Sequence, residues 1–161
     1  MKIRKYRIIL LCIFMLTGCV SKKTDTFEQE YGVSGIDAVE LKDSDDVMEK
    51  MTNGTHVVLF AHPDEDQKKV IEVLAEAVKQ YAGVRIYYYD LDKVQNKLGG
   101  DIIEMTTPWI SNYPFSMGPV IYFIRNGEVV DWQCGKEAVL DFNEVLTLMT
   151  SGEKPACSGG C

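Results

Sequence analysis

The chain is 161 residues long and 46% hydrophobic, enough for one globular domain with its own core and too little for two of ordinary size. Its formal charge of −7 hides a split: residues 1–18 carry Lys2, Arg4, Lys5 and Arg7 and no acid, so the remainder holds 13 basic against 24 acidic residues, a net of −11. A surface that acidic repels phosphate backbones, which argues against nucleic acid as a partner.

Residues 1–7 form a basic stretch, and residues 8–16 (IILLCIFML) are nine consecutive apolar positions, too few to span a bilayer permanently. That is the pattern of a secretory signal. It ends in Leu16-Thr17-Gly18-Cys19, which resembles the lipobox of bacterial lipoproteins, where small residues precede a cysteine that is lipidated before cleavage. An ordinary signal peptide with a cysteine at its cleavage site is the alternative. The lipobox resemblance implies a signal peptide over 1–18 and an acyl anchor such as palmitate on Cys19. The protein would then sit at the outer face of the bacterial cytoplasmic membrane, with the membrane as its first partner. Cys12 leaves with the signal, so Cys134, Cys157 and Cys161 are the thiols that stay. Residues 20–32 (VSKKTDTFEQEYG) are polar and lack periodicity, so 19–32 reads as a tether, 33–152 as the domain and 153–161 as a flexible cysteine-containing tail.

Within the domain, strand and helix alternate. Residues 36–41 read as a short strand, and Ser44 as the cap of a brief helix with Asp45 and Asp46 in its first turn and Val47 and Met51 facing inward. The continuous run HVVLFA over 56–61 predicts a central strand covered on both faces. Val70, Leu74, Ala77, Val78 and Tyr81 recur at helical spacing, predicting an amphipathic helix over 64–81. Residues 84–90 (VRIYYYD) return to strand, and 94–112, interrupted by Gly99-Gly100, predict one irregular helix. Residues 119–124 and 128–134 are β-prone runs flanking Arg125-Asn126-Gly127, a hairpin signal that makes them antiparallel. A last helix is expected over 136–150, with Val139, Phe142, Val145, Leu146 and Met149 buried and Gly152 as its stop. The order β-α-β-α-β-α-β-β-α predicts an α/β domain with a mixed central sheet flanked by helices.

That order, together with the run PVIYFIRNGEVVDWQCG over 119–135 and the strand-to-helix passage over 57–81, resembles the thioredoxin superfamily. The resemblance covers residues 33–150. It places the redox motif Trp-Cys-Gly-Pro-Cys-Lys on Pro63-Asp64-Glu65-Asp66-Gln67-Lys68, so that Asp64 stands for the attacking thiol and Gln67 for the resolving one. The buried acid that relays protons in that family maps onto Val58. A site without nucleophile, resolving thiol and relay does no ordinary dithiol exchange. The resemblance further implies that Pro119 is a cis-proline, and that the backbone of Gly118 is free to pair with an extended polypeptide in a groove facing the Asp64 turn. In that reading Asp64, Gln67, Gly118 and Pro119 bind, and Trp109, Phe115 and Met117 flank the groove. Pro119 as a mere strand start is the plainer alternative. His62, Asp64, Glu65 and Asp66 offer oxygen and imidazole ligands to a hard cation, but acids at a helix start are explained by the dipole alone, so no metal and no cofactor are assigned.

Cys134 lies just before Gly135 and reads either as a reactive thiol beside the groove or as a small buried core residue. Cys157 and Cys161 form Cys-Ser-Gly-Gly-Cys, a pair expected to be oxidised outside the membrane, closing five residues for about 2 kcal/mol of chain entropy. A final helix of about 15 residues carries the chain roughly 22 Å from Cys134. Residues 152–157 retrace at most about 20 Å, so Cys157 falls short of Cys134 while Cys161 comes just within reach of it, which leaves Cys134–Cys161 as the alternative pairing. Cys157–Cys161 is the favoured bridge and Cys134 the odd thiol. As zinc or copper ligands the two tail cysteines are too few without a third. The leading expectation is a tethered thioredoxin-like lipoprotein that binds a polypeptide without dithiol chemistry. A weaker resemblance to bacteriocin transport accessory proteins implies a part in secretion or maturation. A thiol-disulfide oxidoreductase using Cys157 and Cys161, or Cys134, is the alternative enzyme reading, and a purely structural lipoprotein the third.

Overall fold

The computed structural model of the chain describes residues 26–94, 118–135 and 142–151. The elements run α1 (Thr26–Tyr31), β1 (Ala38–Glu40), α2 (Ser44–Thr52), β2 (His56–Ala61), α3 (Glu65–Val78), β3 (Ile86–Asp90), α4 (Leu91–Val94), β4 (Val120–Arg125), β5 (Glu128–Cys134) and α5 (Phe142–Ser151). The strands form one five-stranded sheet in the order β1-β3-β2-β4-β5. β3 is parallel to both β1 and β2, whereas β4 is antiparallel to β2 and to β5. The α/β class and the mixed sheet flanked by helices stand as expected.

Every residue of β2 is buried, because both faces of the sheet are covered. On one face Val57, Leu59, Ala61, Ile86, Tyr88, Ile121 and Phe123 pack against α1, α3 and α5. On the other, Val58, Phe60, Tyr89, Val120, Tyr122 and Ile124 pack against Val47 and Met51 of α2. The β4–β5 connection is the two-residue Asn126-Gly127 turn, with φ of 52° and 78°, the left-handed pair that a tight hairpin needs. Gly127 has a second constraint: a Cβ there would lie 2.1 Å from the Thr52 carbonyl oxygen, so the hairpin tip rests on the end of α2.

Three expectations are corrected. The tether does not extend to residue 32. Residues 26–31 form a helix whose Phe27 and Tyr31, one turn apart, are 1% and 0% exposed, with ring centroids 4.8 Å apart. The folded unit thus begins before Val33, and the two aromatics at i and i+4 in an otherwise polar stretch were the signal. The cap of α2 is Asp43, whose side chain accepts from the Asp46 N–H at 2.9 Å, rather than Ser44. Helix α3 stops at Val78. Tyr81 lies beyond it, and its hydroxyl bonds the Asn143 carbonyl at 2.9 Å and Thr147 Oγ1 at 2.8 Å, tying the chain to α5. The irregular helix expected over 94–112 lies, after Val94, outside the described residues, as do residues 136–141 of the last helix.

Lys93 fastens α1 to the sheet. Its ammonium meets Glu30 of α1, Glu40 of β1 at 2.7 Å and Asp90 of β3 at 3.5 Å. Desolvation opposes its charge, but the bonds to Glu30 and Glu40 win and hold the ammonium above its ordinary pKa. In the same half of the molecule, Phe27 also packs edge-on against Tyr88 at 4.8 Å. Phe27→Ala is therefore expected to cost about 3–5 kcal/mol in urea denaturation, the range for truncating a core aromatic. A change within about 0.5 kcal/mol would restore α1 to the tether.

Asp131 on β5 is 6% exposed, and its Oδ1 has no hydrogen-bond partner among the described residues. Burial raises its pKa, the Trp132 backbone N–H lowers it in part, and Glu144 raises it again. A raised folded-state value means that the ionised form is disfavoured by the fold. Stability should thus fall as pH rises from the unfolded carboxylate range through the folded value, and stay penalised at neutral pH. Asp131→Asn is expected to raise the denaturation midpoint at pH 7 and to remove that part of the acid-side slope. An unchanged slope would show that Asp131 does not carry it.

Candidate functional site: the carboxyl end of the sheet

β1, β2 and β3 run parallel, and the helices that leave β1 and β2 lie on opposite faces, since α2 belongs to one core cluster and α3 to the other. In open α/β sheets such an arrangement is where ligands bind, outside the carboxyl ends of the strands. β5, antiparallel to β4, ends on the same side: Phe60 pairs with Val120, and Val120 with Cys134. At one strand spacing per step, Cys134 stands about 10 Å across the sheet from Phe60. The turn into α3, the β3–α4 junction, Gly118-Pro119 and Cys134 all gather at this end.

The turn is built around Asp64 and Gln67. Asp64 is the N-cap of α3, its Oδ1 accepting the Gln67 N–H at 2.8 Å. Its Oδ2 accepts from Gln67 Nε2 at 2.9 Å, while Gln67 Oε1 accepts the His62 backbone N–H at 2.8 Å. Gln67 is 2% exposed, so these bonds answer the polar atoms that burial would otherwise strand. The pair is a variant of the capping box: an acid at the N-cap, an amide three residues on, and a reach back past the helix start. The two positions that the family resemblance assigned to thiols therefore meet directly, as carboxylate and carboxamide. Glu65 and Asp66 occupy the first turn, where the helix dipole favours acids.

Beside them, His62 Nδ1 lies 2.6 Å from Asp92 Oδ1, and the Asp92 N–H donates to Oδ1 of the buried Asp90 at 2.9 Å. The ends of β2 and β3 are thus joined through side chains thirty positions apart, a link that no local pattern announces. Asp92 keeps more than half its side-chain surface in solvent, and Glu65 nearly all. No group of three or more His, Cys, Asp or Glu is arranged to hold a metal ion among the described residues. Val58, which the resemblance aligned with a proton relay, is fully buried in apolar company.

Two expectations fail at Pro119 and Cys134. No cis peptide bond occurs among the described residues, so Gly118–Pro119 is trans. The chain direction is instead set by Gly118, whose φ of 151° is open to glycine, and both residues are buried. The Pro119 carbonyl is already taken by the Gly135 N–H at 3.0 Å. Cys134 is not an odd thiol: it is disulfide-bonded as well as buried, and as the sole cysteine of the described residues it has its partner outside them. Cys19, Cys157 and Cys161, and Trp109, Phe115 and Met117, also lie outside the described residues.

Set against known proteins, the chain matches no family model and no curated protein. What the site does is therefore read from its own geometry.

Removing the Asp64 cap by Ala is expected to cost about 0.5–2 kcal/mol. Gln67→Leu, which strands the His62 N–H, should cost about 1–3 kcal/mol. Because the two side chains bond each other, the double variant should lose less than the sum, with a coupling of about 0.5–3 kcal/mol in urea denaturation. Strict additivity would mean that the pair is not formed.

Proposed function

We propose that the protein is a lipid-anchored, thioredoxin-like protein of the outer face of the bacterial cytoplasmic membrane. It binds an extended polypeptide at the carboxyl end of its sheet without dithiol exchange at the helix entry. The mixed five-stranded sheet is compatible with that fold. The observation that carries the reading is the Asp64–Gln67 pair: where the resemblance calls for two thiols, a carboxylate and an amide are bonded to each other, which retains the turn and removes the nucleophile.

Charge narrows the partner. Glu65, Asp66 and Asp92 lie at this end of the sheet, where Lys68 is paired with Glu65, and Lys93 with Glu30, Glu40 and Asp90, and Lys69 is exposed one position further along α3. The partner segment is one bearing Lys or Arg, attracted in a salt-dependent manner. An accessory part in secretion or maturation of an exported polypeptide fits this chemistry.

The test is an amide NMR titration of the detergent-solubilised protein with two permanently unfolded, carboxymethylated polypeptides, one basic and one acidic. The expected result is shifts confined to residues 62–67, 90–93 and 118–120 with the basic chain, weakened severalfold by raising salt from 50 to about 200 mM. No shifts there, or shifts centred on the opposite end at 53–55 and 126–127, would overturn the proposal.

A further inference from the structure

We infer that Asn53-Gly54 is a self-modifying site: with His56 as the base, the Gly54 nitrogen closes onto the Asn53 side chain, expels ammonia and turns the residue into aspartate or isoaspartate. The sequence holds two Asn-Gly pairs, 53–54 and 126–127, and the fold treats them differently. At Asn126 the attacking nitrogen is tied down, since the Gly127 N–H donates to the Gly54 carbonyl at 2.9 Å. At Asn53 the residue is exposed, and the Gly54 N–H makes no hydrogen bond among the described residues. Asn53 has left the helix, with φ of −140° and ψ of 145°. Rotation about that ψ carries the Gly54 nitrogen towards Cγ, and no hydrogen bond on the Gly54 N–H opposes it.

The base distinguishes this site from an ordinary exposed Asn-Gly pair. His56 is 6% exposed, and its Nε2 lies 2.8 Å from the Lys50 carbonyl oxygen. A carbonyl only accepts, so Nε2 carries the proton and the neutral ring keeps a bare lone pair at Nδ1. That Nδ1 abuts the Gly54 backbone: a Cβ on Gly54 would lie 3.2 Å from it. The ring packs edge-on against Tyr87 at 4.7 Å, and the Lys50 ammonium and Arg85 guanidinium lie 4.9 Å and 5.9 Å from the same tyrosine ring. Both cations are paired, with Glu49 and Asp37, and Ile124 opposes His56 on β4. Burial lowers the pKa of His56, the bond to the Lys50 carbonyl offsets part of this, and the Lys50 charge lowers it further, so the ring is a neutral base at neutral pH.

Nδ1 takes the proton of the Gly54 N–H as that nitrogen bonds to Asn53 Cγ. The Cγ–Nδ2 bond breaks, the imidazolium returns the proton, and Nδ2 leaves as ammonia, closing a succinimide. Water then opens the ring, at Cγ to give aspartate or at the Asn53 main-chain carbonyl to give isoaspartate, whose backbone is one carbon longer. Nothing is oxidised or reduced, and water is the co-reactant. In the unconverted protein Asn53 Nδ2 donates to the Glu49 carbonyl at 3.1 Å and to Thr52 Oγ1 at 3.2 Å. A carboxylate cannot donate either bond, and it sets negative charge at the C-terminus of α2, where the dipole opposes it. The extra backbone carbon falls between Thr52, whose carbonyl the Gly127 Cα crowds, and Gly54, whose carbonyl holds the Gly127 N–H. Conversion therefore unseats the hairpin tip from α2.

The test is peptide mapping by mass spectrometry of the full chain, purified in detergent and held at 37 °C at pH 7 and at pH 8, with electron-transfer fragmentation separating aspartate from isoaspartate. Expected is conversion at Asn53 at least about tenfold faster than at Asn126 in the folded protein, a ratio within the reach of a positioned base. In concentrated urea the two rates should converge. A neutral imidazole is fully available at both pH values, so the folded-state rate at Asn53 should change less than about twofold between them, against about tenfold for hydroxide catalysis in urea. His56→Gln should restore the hydroxide dependence to the folded protein, and the wild-type pH profile decides the case even where that variant does not fold. The converted protein, separated by anion exchange, should exchange the amide hydrogens of residues 44–52 faster than its parent. Equal conversion at the two pairs in the folded protein, no conversion at Asn53, or a tenfold rise per pH unit in the folded wild type would each overturn the inference. Unchanged hydrogen exchange would overturn the unseating of α2.

Discussion

Burial of β2 on both faces is the constraint from which the remaining architecture follows. A strand with six consecutive buried residues cannot lie at an edge, so it needs a hydrogen-bonded neighbour on each side and a helical layer above and below. β3 supplies one neighbour in parallel and β4 the other in antiparallel sense. The alternation Val57, Leu59, Ala61 against Val58, Phe60 then assigns α3 to one face and α2 to the other. Because these helices depart on opposite sides, the space beyond the end of β2 is left to loops, and it is there that Asp64, Gln67, His62 and Asp92 meet.

The polar geometry at that end shows how a helix start is held by side chains alone. A carboxylate at the cap and an amide three residues later satisfy each other, the helix start and the His62 N–H in one set of bonds. Local order is thus secured by hydrogen bonds rather than by a covalent link. Cys134, the sole cysteine of the described residues, stands across the sheet at the same end, on β5.

Much of the fold was legible in the sequence, since its signals are periodic and local. HVVLFA, the helical spacing from Val70 to Val78 and the Asn-Gly hairpin each report one element. What escaped was short or distant. α1 is six residues with two aromatics, too brief for a periodicity to emerge from the polar residues around it. The Lys93 cluster draws on Glu30, Glu40 and Asp90, and the His62–Asp92 pair bridges two strand ends, so neither leaves a pattern in a window of ordinary length. At the site, Asp64 and Gln67 were located by resemblance, but their mutual bonding is a property of three dimensions. The cis-proline expectation came from the resemblance alone, and this chain makes its turn with the preceding glycine.

The seating of the hairpin tip bears on how the chain tolerates extra sequence. A two-residue β-turn is ordinarily the first place to splice in a peptide. Here the Gly127 N–H donates to the Gly54 carbonyl at 2.9 Å, and the Asn126 N–H to Thr55 Oγ1 at 3.2 Å, so the tip is a keystone between β4–β5 and the end of α2. Lengthening it would unseat α2 from the sheet. The turn at Ala82-Gly83 is the opposite case: nothing packs within 4 Å of where a Gly83 Cβ would stand, and only the glycine itself, at φ 84°, has to be kept. It is exposed, remote from the carboxyl end of the sheet, and the natural point of attachment for an epitope or a fluorophore.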